Sequence, residues 1–334
     1  MKSTQSVGLL FPGQGAQYPQ MASGLYRHSR IFTAHMDRAF EQLSELGTAL
    51  RNVWLDPEPG PGFDDVMCAQ PLLYAVNYAL GAMVLDWGVE PSVLIGHSVG
   101  ELAAATLAGV LSFDTGLALM RDRVTNFADT PPGGMLVVAA GQAEIQPLLF
   151  GSLAVAALNS ANQTLVAGTR SELDELRITL RAKRISSLGC RAEQAFHSSL
   201  VAEAAARTLD AWRGVTLSPP RIPIHSTHLG APLDAATATD PEFWAAHPAT
   251  PVLFWPVLDE LLHTRELMLV EAGPGQSLSM LARRHPAVIA GRSEVFAVLP
   301  ARSAGPEAER AAAGAAMYQL AAAGHLTRPA ALPA

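Results

Sequence analysis

A pentapeptide between an apolar run and an alanine-rich segment constrains the fold of this chain more than any other feature. Gly96-His97-Ser98-Val99-Gly100 follows the strand-like run 92–95 and precedes the strongly helix-forming stretch 101–110. In this context, the pattern G-x-S-x-G predicts a strained strand-to-helix turn that lifts a serine hydroxyl clear of a sheet. The sequence therefore predicts an α/β fold with Ser98 as the candidate nucleophile.

The beginning of the chain combines a second apolar run with a glycine-rich loop. Residues 7–11 predict a buried strand, and residues 12–17 predict a loop that presents backbone N–H groups. At the serine turn, the helix dipole and the N–H of Val99 would face a developing oxyanion. The larger α/β unit is completed by further elements, namely a core helix over 70–87, a strand over 267–270, a helix over 307–323 and a frayed tail over 328–334.

Residues 133–191 have a different pattern, which predicts a small inserted subdomain. The element order is βαββαβ, as in ferredoxin-like folds, with strands over 135–140, 153–158, 163–167 and 185–190 and helices over 143–150 and 171–183. Thr169 and Glu172 form a predicted capping box for the second helix. We therefore expect an α/β-hydrolase-like large subdomain, residues 1–131 and 197–334, and a ferredoxin-like small subdomain, residues 132–196.

A serine nucleophile needs a base, and the chain has 10 histidines. His197 is favoured because it lies where the chain leaves the small subdomain, and clefts form at such junctions. His97 is expected to pack inside the turn, and the other histidines considered are predicted at the surface: His28, His35, His263, His285 and His325. The orienting group stays open between a backbone carbonyl and one of four acids: Asp114, Asp122, Asp210 or Asp234.

Composition excludes several classes of protein. With 49% hydrophobic and 16% charged residues, the chain is not predicted to be disordered, and a net charge of −7 argues against non-specific binding to nucleic acid. Cys68 and Cys190 form neither a disulfide framework nor a metal-binding pattern. The apolar stretch 72–89 is interrupted by Asn77 and Asp86, so no membrane span is predicted. These features favour a cytoplasmic protein without a bound metal.

Eight segments in order resemble one known family, the malonyl-CoA:acyl-carrier-protein transacylases and the acyltransferase domains of polyketide synthases. They extend over nearly the whole chain and are Phe11-Pro-Gly-Gln-Gly-Ala-Gln17, Gln70-Pro71, Gly96-His-Ser-Val-Gly-Glu101, Arg123, Asn159-Ser160, Ala195-Phe-His-Ser198, Ile222-Pro-Ile-His-Ser-Thr227 and Glu271-Ala-Gly-Pro-Gly275. The resemblance implies that Ser98 is acylated and that His197 is its general base and acid. It also implies an oxyanion hole made by the backbone N–H groups of Gln14 and Val99.

The resemblance further implies a malonyl-binding pocket. The family holds the free carboxylate of malonyl with an arginine 25 residues after the nucleophile, which is Arg123 here, and a guanidinium suits a bidentate carboxylate contact. Phe196 and Val99 resemble residues of malonyl-selecting members. His247 is at the family position whose main-chain carbonyl orients the base. Two further residues, Gln70 and Asn159, are expected to line the substrate site.

The implied reaction is ping-pong acyl transfer in polyketide or fatty-acid biosynthesis. Malonyl-CoA would acylate Ser98, and the phosphopantetheine thiol of an acyl carrier protein would then accept the acyl group, with no metal or organic cofactor. The segment Arg181-Ala-Lys-Arg184 is a candidate docking surface for an acidic carrier. The alternatives are transfer of an aminoacyl or longer acyl group, an editing thioester hydrolase, and a non-catalytic docking module.

Overall fold

A computed structural model describes residues 5–326, which form an α/β protein with two four-stranded sheets. The predicted tail 328–334 lies outside the described residues. In chain order the strands and α-helices are β1 (Ser6–Phe11), α1 (Ser23–Tyr26), α2 (Arg30–Gln42), α3 (Ser44–Leu55), α4 (Val66–Asp86), β2 (Val93–Gly96), α5 (Val99–Leu107), α6 (Phe113–Ala128), β3 (Gly133–Val138), α7 (Gln142–Ile145), β4 (Ala154–Ser160), β5 (Gln163–Thr169), α8 (Arg170–Ala182), β6 (Ser187–Gly189), α9 (Ala202–Arg207), α10 (Leu209–Arg213), β7 (His225–Ser226), β8 (Ala231–Pro232), α11 (Ala235–Ala238), α12 (Pro241–Ala246), α13 (Phe254–Thr264), β9 (Leu267–Glu271), α14 (Ser277–Ala282), α15 (Pro286–Ile289), β10 (Glu294–Ala297) and α16 (Pro306–Ala322).

The first sheet is parallel and lies in the large unit, in the order β10-β9-β1-β2. Its inner strands β1, β2 and β9 are almost fully buried, because continuous apolar runs suit a sheet covered by helices on both faces. The carboxyl ends of β1, β2 and β9 lead into the glycine-rich loop, the serine turn and the segment after Glu271. The confirmed α/β class thus places these three segments at one edge of the sheet.

The second sheet is antiparallel, in the order β4-β5-β3-β6, and it has the strand order of a ferredoxin-like unit. Helix α8 packs on it through Leu173, Leu176 and Leu180, and its predicted capping box between Thr169 and Glu172 is present. All four strands fall within residues 132–196. The boundaries proposed for the two subdomains stay a prediction.

Two predicted helices end earlier than expected. Helix α5 stops at Leu107 because Gly109 adopts a φ of 83°, and the N–H groups of Gly109 and Val110 close a Schellman motif. Helix α7 ends at Ile145, where a 3₁₀ turn over Gln146–Leu148 replaces the predicted continuation. Pro147 within that turn has no N–H to donate to a longer α-helix.

Helix α4 is the long apolar segment of the chain. Its length and hydropathy would allow it to cross a membrane, but 83% of the relevant window is buried inside the protein. Asn77, near its middle, donates a hydrogen bond to the carbonyl of Pro12 in the glycine-rich loop. This burial and this contact are those of a central core helix that supports the loop after β1.

Candidate active site

Ser98 occupies the strained turn between β2 and α5. Its φ of 52° and ψ of −124° are unusual for a residue other than glycine, and the turn leaves the side chain 9% exposed. Gly100 is required at the next position but one, because a Cβ there would collide with the carbonyl of Phe11 at the end of β1. The close approach of β1 to the turn thus explains the glycine that the motif demands.

His197 lies against Ser98 across a sequence separation of 99 residues. Its Nε2 is 2.8 Å from the Ser98 Oγ, and its Nδ1 is 2.7 Å from the carbonyl oxygen of Thr250. A carbonyl only accepts, so Nδ1 carries the ring proton and Nε2 accepts from the serine hydroxyl. His197 also has a positive φ, 63°, and its N–H donates to the Pro248 carbonyl. This orientation and tautomer are those required for removing the proton of Ser98.

Burial keeps the imidazole of His197 neutral. Desolvation, followed by the neighbouring His247, holds its pKa well below the ordinary value of histidine. A neutral imidazole at physiological pH is ready to accept a proton. The electrostatics therefore agree with the hydrogen bonds.

The carbonyl that orients His197 belongs to Thr250, so the expectation based on His247 is wrong by three residues. Thr250 directly precedes Pro251-Val252, and Val252 exchanges backbone hydrogen bonds with Ala156 and Leu158 of β4. The edge of the small sheet thus fixes the segment that carries this carbonyl. Because the carbonyl fills the orienting position, none of the four candidate acids is needed there: Asp114, Asp122, Asp210 and Asp234.

His247 lies beside the pair as a neutral, buried side chain. Its ring is 6.2 Å from that of His197, and burial lowers its pKa to about 3. Its Nε2 is 3.7 Å from Oε2 of the buried Glu101 and has no hydrogen-bond partner among residues 5–326. Glu101 accepts from the N–H and the hydroxyl of Thr227, which connects α5 to the loop after β7. Sequence reasoning gave no role to Glu101, because an acidic residue in the first helical turn has an ordinary explanation.

Arg123 projects from α6 and is only 6% exposed. Its Nε donates to Oε1 of Gln70 at 2.9 Å, whereas its Nη2 is buried without a hydrogen-bond partner among the described residues. Desolvation lowers its pKa to about 10, so the guanidinium stays charged at neutral pH. A buried charge with an unused donor is costly unless an anion completes it. The arrangement therefore suits a ligand carboxylate.

A chain of amide hydrogen bonds connects Arg123 to the glycine-rich loop. Gln70 accepts from Arg123 and donates to Oε1 of Gln14 at 3.1 Å, and Gln14 Nε2 donates to the carbonyl of Asp64 at 3.0 Å. Gly13 packs so closely on the serine turn that an added Cβ would lie 3.2 Å from the Ser98 Cβ. Gln70 thus contacts the arginine and the loop that carries Gln14.

The two predicted oxyanion donors are free to bind a ligand. Within the described part of the chain, neither the N–H of Gln14 nor that of Val99 donates a backbone or side-chain hydrogen bond. Val99 is the first residue of α5, where the helix dipole favours negative charge. These are the properties an oxyanion hole requires.

The other predicted pocket residues lie around this centre. Phe196 is buried against Phe127, with ring centroids 5.2 Å apart. Asn159, in β4, contacts Nε2 of His97 through its Oδ1 at 2.9 Å. The contact shown for Asn159 is thus with the serine turn rather than with the Ser98–His197 pair.

The prediction that His285 is a surface residue is wrong. It is 1% exposed and, with Asp259 and His263, forms the group in the described part of the chain whose spacing could hold a metal. Nδ1 of His285 accepts from the N–H of Ala287, so Nε2 carries the proton and donates it to Asp259 at 3.0 Å. Both ring nitrogens are engaged, and we assign no metal to this group.

A buried serine, an imidazole oriented by a carbonyl and two free N–H groups are typical of enzymes that form acyl-serine intermediates. The family comparison gives the same class: residues 9–312 match the model described as "Acyl transferase domain". The chain belongs to this acyltransferase family. The match covers both sheets.

Known relatives include polyketide synthases and a malonyl transacylase. One of the proteins of the phenolphthiocerol/phthiocerol polyketide synthase of Mycobacterium tuberculosis is 33% identical over 285 residues, which are 85% of this chain and 19% of that protein. The chain thus spans about a fifth of that relative. The acyl transferase domain of SpnD, in complex with 2-(pent-4-yn-1-yl)malonyl, is 31% identical, with a TM-score of 0.86, 98% of this chain covered and 79% of that one. The malonyl CoA-acyl carrier protein transacylase of Burkholderia pseudomallei is 26% identical, with a TM-score of 0.76 and coverage of 85% and 100%.

Proposed function

We propose that this chain transfers a malonyl group from malonyl-CoA to the phosphopantetheine thiol of an acyl carrier protein. One observation carries the proposal: the buried Arg123 has an unused Nη2 donor and, through Gln70 and Gln14, is connected to the loop packed on Ser98. A malonyl thioester has a carboxylate for the arginine and a carbonyl for the serine. The names of the SpnD complex and of the Burkholderia transacylase support the same class of acyl group.

The first half-reaction acylates Ser98. His197 Nε2 takes the hydroxyl proton while Ser98 Oγ attacks the thioester carbonyl, and the N–H groups of Gln14 and Val99 bind the oxyanion. Collapse of this tetrahedral intermediate breaks the C–S bond, and the imidazolium returns its proton to the CoA thiolate. CoA leaves as the free thiol.

The second half-reaction runs the same steps in reverse. His197 takes the proton of the carrier thiol, sulfur attacks the acyl-serine carbonyl, and Ser98 leaves with the proton returned by the imidazolium. We propose that these side chains suffice without a metal or an organic cofactor. Burial of Ser98 and His197 limits the access of water to the acyl-enzyme.

The pocket walls support an unbranched malonyl unit. Phe196, packed on Phe127, fills the space beside His197 that an α-substituent would need. His247 adds a neutral polar wall next to the catalytic base. We place the reaction in the cytoplasm, in polyketide or fatty-acid biosynthesis, because the relatives are enzymes of these pathways.

Intact mass after mixing with malonyl-CoA, methylmalonyl-CoA or acetyl-CoA tests the proposal. We expect a malonyl adduct on the wild type and no adduct on Ser98→Ala. Addition of a holo-carrier protein should move the adduct to the carrier. Absence of a malonyl adduct on the wild type would overturn the malonyl assignment, and release of malonate without carrier acylation would indicate a hydrolase.

A further inference from the structure

A cleft of about 670 Å³ lies between the units of the two sheets, and neither Ser98 nor His197 lines it. One wall is the loop 14–19, and the opposite walls come from the small sheet, α14 and residues 301–303. Gln14 belongs to the loop wall, and the preceding Gly13 packs on Ser98. The cleft therefore extends from the surface to the loop that carries the proposed oxyanion donor.

The charged side chains that line this cleft are two arginines and one aspartate. Arg191, at the exit of the small sheet, has an 81% exposed side chain and pairs with Oδ2 of Asp64 at 3.0 Å. Arg302, on the opposite wall, is exposed and forms no ion pair among residues 5–326. The lining thus carries a net positive charge inside a chain whose net charge is −7. Such a local excess favours an anionic ligand.

The remainder of the lining suits a flexible, mostly uncharged ligand arm. Met135 and Met280 come from facing walls, and thioether side chains adapt to irregular ligands. Ser277 and Ser303 add hydroxyl groups between them. A ligand that fills the cleft would place its charged part by the arginines and an uncharged part toward Gln14.

We propose that Arg191 and Arg302 bind the phosphate at the outer end of a phosphopantetheine arm whose thiol end reaches Ser98. This inference rests on the proposed function and names a subsite for it. Guanidinium groups bind phosphate through directed, charge-assisted hydrogen bonds, so two of them on facing walls form a clamp. The same phosphate occurs in CoA and in a holo-carrier protein, and one subsite would serve the donor and the acceptor in turn.

The direct test is binding of 4′-phosphopantetheine and of pantetheine, measured by calorimetry. The variants are Arg191→Gln, Arg302→Gln and the double substitution, with Arg181→Gln as a control on an exposed arginine of α8 outside the cleft. We expect each cleft variant to weaken phosphopantetheine binding roughly tenfold, as for loss of a hydrogen bond to a charged group. Pantetheine binding and the control should not change. Equal weakening of both ligands, or of neither, would overturn the proposal.

Transfer kinetics separate the two sources of the phosphate. With malonyl-CoA as donor, the double variant should raise KM and leave kcat nearly unchanged, whereas malonyl-N-acetylcysteamine, which lacks the phosphate, should react as with the wild type. With a holo-carrier protein as acceptor, a raised KM would show that the carrier uses the subsite as well. An effect with CoA but not with 4′-phosphopantetheine would assign the arginines to the adenosine phosphates and contradict the proposal.

The binding measurement also separates this proposal from the proposed function. Failure of the wild type to accept malonyl from either donor would refute malonyl transfer. The arginine subsite would still stand or fall with the difference between phosphopantetheine and pantetheine, because that difference requires no acylation.

Discussion

The two four-stranded sheets contribute to the site in different ways. Strands β1 and β2 of the parallel sheet end at the loop with Gln14 and at the turn with Ser98. The antiparallel sheet contributes Asn159, which contacts His97, and the edge of β4, which holds the segment after Thr250. The parallel sheet thus presents the groups that would touch substrate, and the antiparallel sheet supports them from outside.

This difference follows from strand connectivity. In a parallel sheet, successive strands end at the same edge, so loops that are distant in sequence converge there. In the antiparallel sheet, tight connections alternate between the two edges, and fewer loops can meet. Substitutions near the parallel sheet should therefore change chemistry, and substitutions in the small unit should change stability.

The largest effect is expected for Ser98→Ala. Without the hydroxyl there is no acyl-enzyme, and the rate of malonyl transfer should fall by about 10⁴-fold or more, as for removal of other serine nucleophiles. Intact mass and a carrier-acylation assay measure both consequences. Undiminished transfer by this variant would move the chemistry away from the turn at the end of β2.

Arg123→Ala should have the next largest effect. Removing a buried partner of a ligand charge costs about 2–5 kcal/mol, so acylation by malonyl-CoA should fall by about 30-fold to several thousandfold. Acetyl-CoA lacks the carboxylate and should lose far less. A matched variant, Gln70→Leu, removes the acceptor of Arg123 Nε and should show a smaller loss of the same sign. Equal losses with both donors would assign Arg123 to support of the fold.

The pH dependence of acylation tests the buried environment of His197. Because desolvation lowers its pKa, the base should remain unprotonated at pH 6, and the rate should be the same at pH 6 and pH 8. An unperturbed histidine of pKa about 6.5 would leave about a quarter of the base active at pH 6. His247→Gln removes a neighbour that lowers this pKa, so its acid limb should move toward higher pH. Stopped-flow acylation across pH 5–8 measures both profiles.

Sequence reasoning was accurate where the structure depends on local pattern. The strand-turn-helix around Ser98 and the capping box of Thr169 and Glu172 are set by residues within a few positions of one another. The family-level prediction is confirmed as well, because its motifs extend over nearly the whole chain.

The prediction failed where a contact depends on the backbone or on distant packing. Every residue has a carbonyl, so no side-chain pattern distinguishes Thr250 from His247 as the partner of His197. His285 is polar and follows two arginines, yet the fold buries it between α13 and α15. The contacts of Gln70 with Arg123 and Gln14 likewise become evident only when α4, α6 and the loop after β1 are assembled.

Leu176→Ala tests the other side of the comparison. Leu176 is fully buried between α8 and the small sheet, so its truncation should cost about 2–5 kcal/mol of stability. Urea unfolding measures this loss. Under conditions in which the variant is folded, acylation of Ser98 per folded molecule should match the wild type. The exposed neighbour Ile178 provides a control, because Ile178→Ala should change stability little.

The smallest effect is expected for Thr169→Ala, at the start of α8. The Thr169 hydroxyl accepts from the N–H of Glu172, and the Glu172 carboxylate accepts in turn from the N–H of Thr169 and from Ser152. Loss of such a cap costs about 0.5–2 kcal/mol. These bonds hold the pKa of Glu172 at about 2, below its ordinary value of 4.5, so their stabilisation is present above pH 4.5 and is lost as the pH falls toward 2. The stability difference between variant and wild type should therefore shrink in acid, and a measurable loss of acylation in this variant at neutral pH would show that α8 influences the site at the end of the parallel sheet.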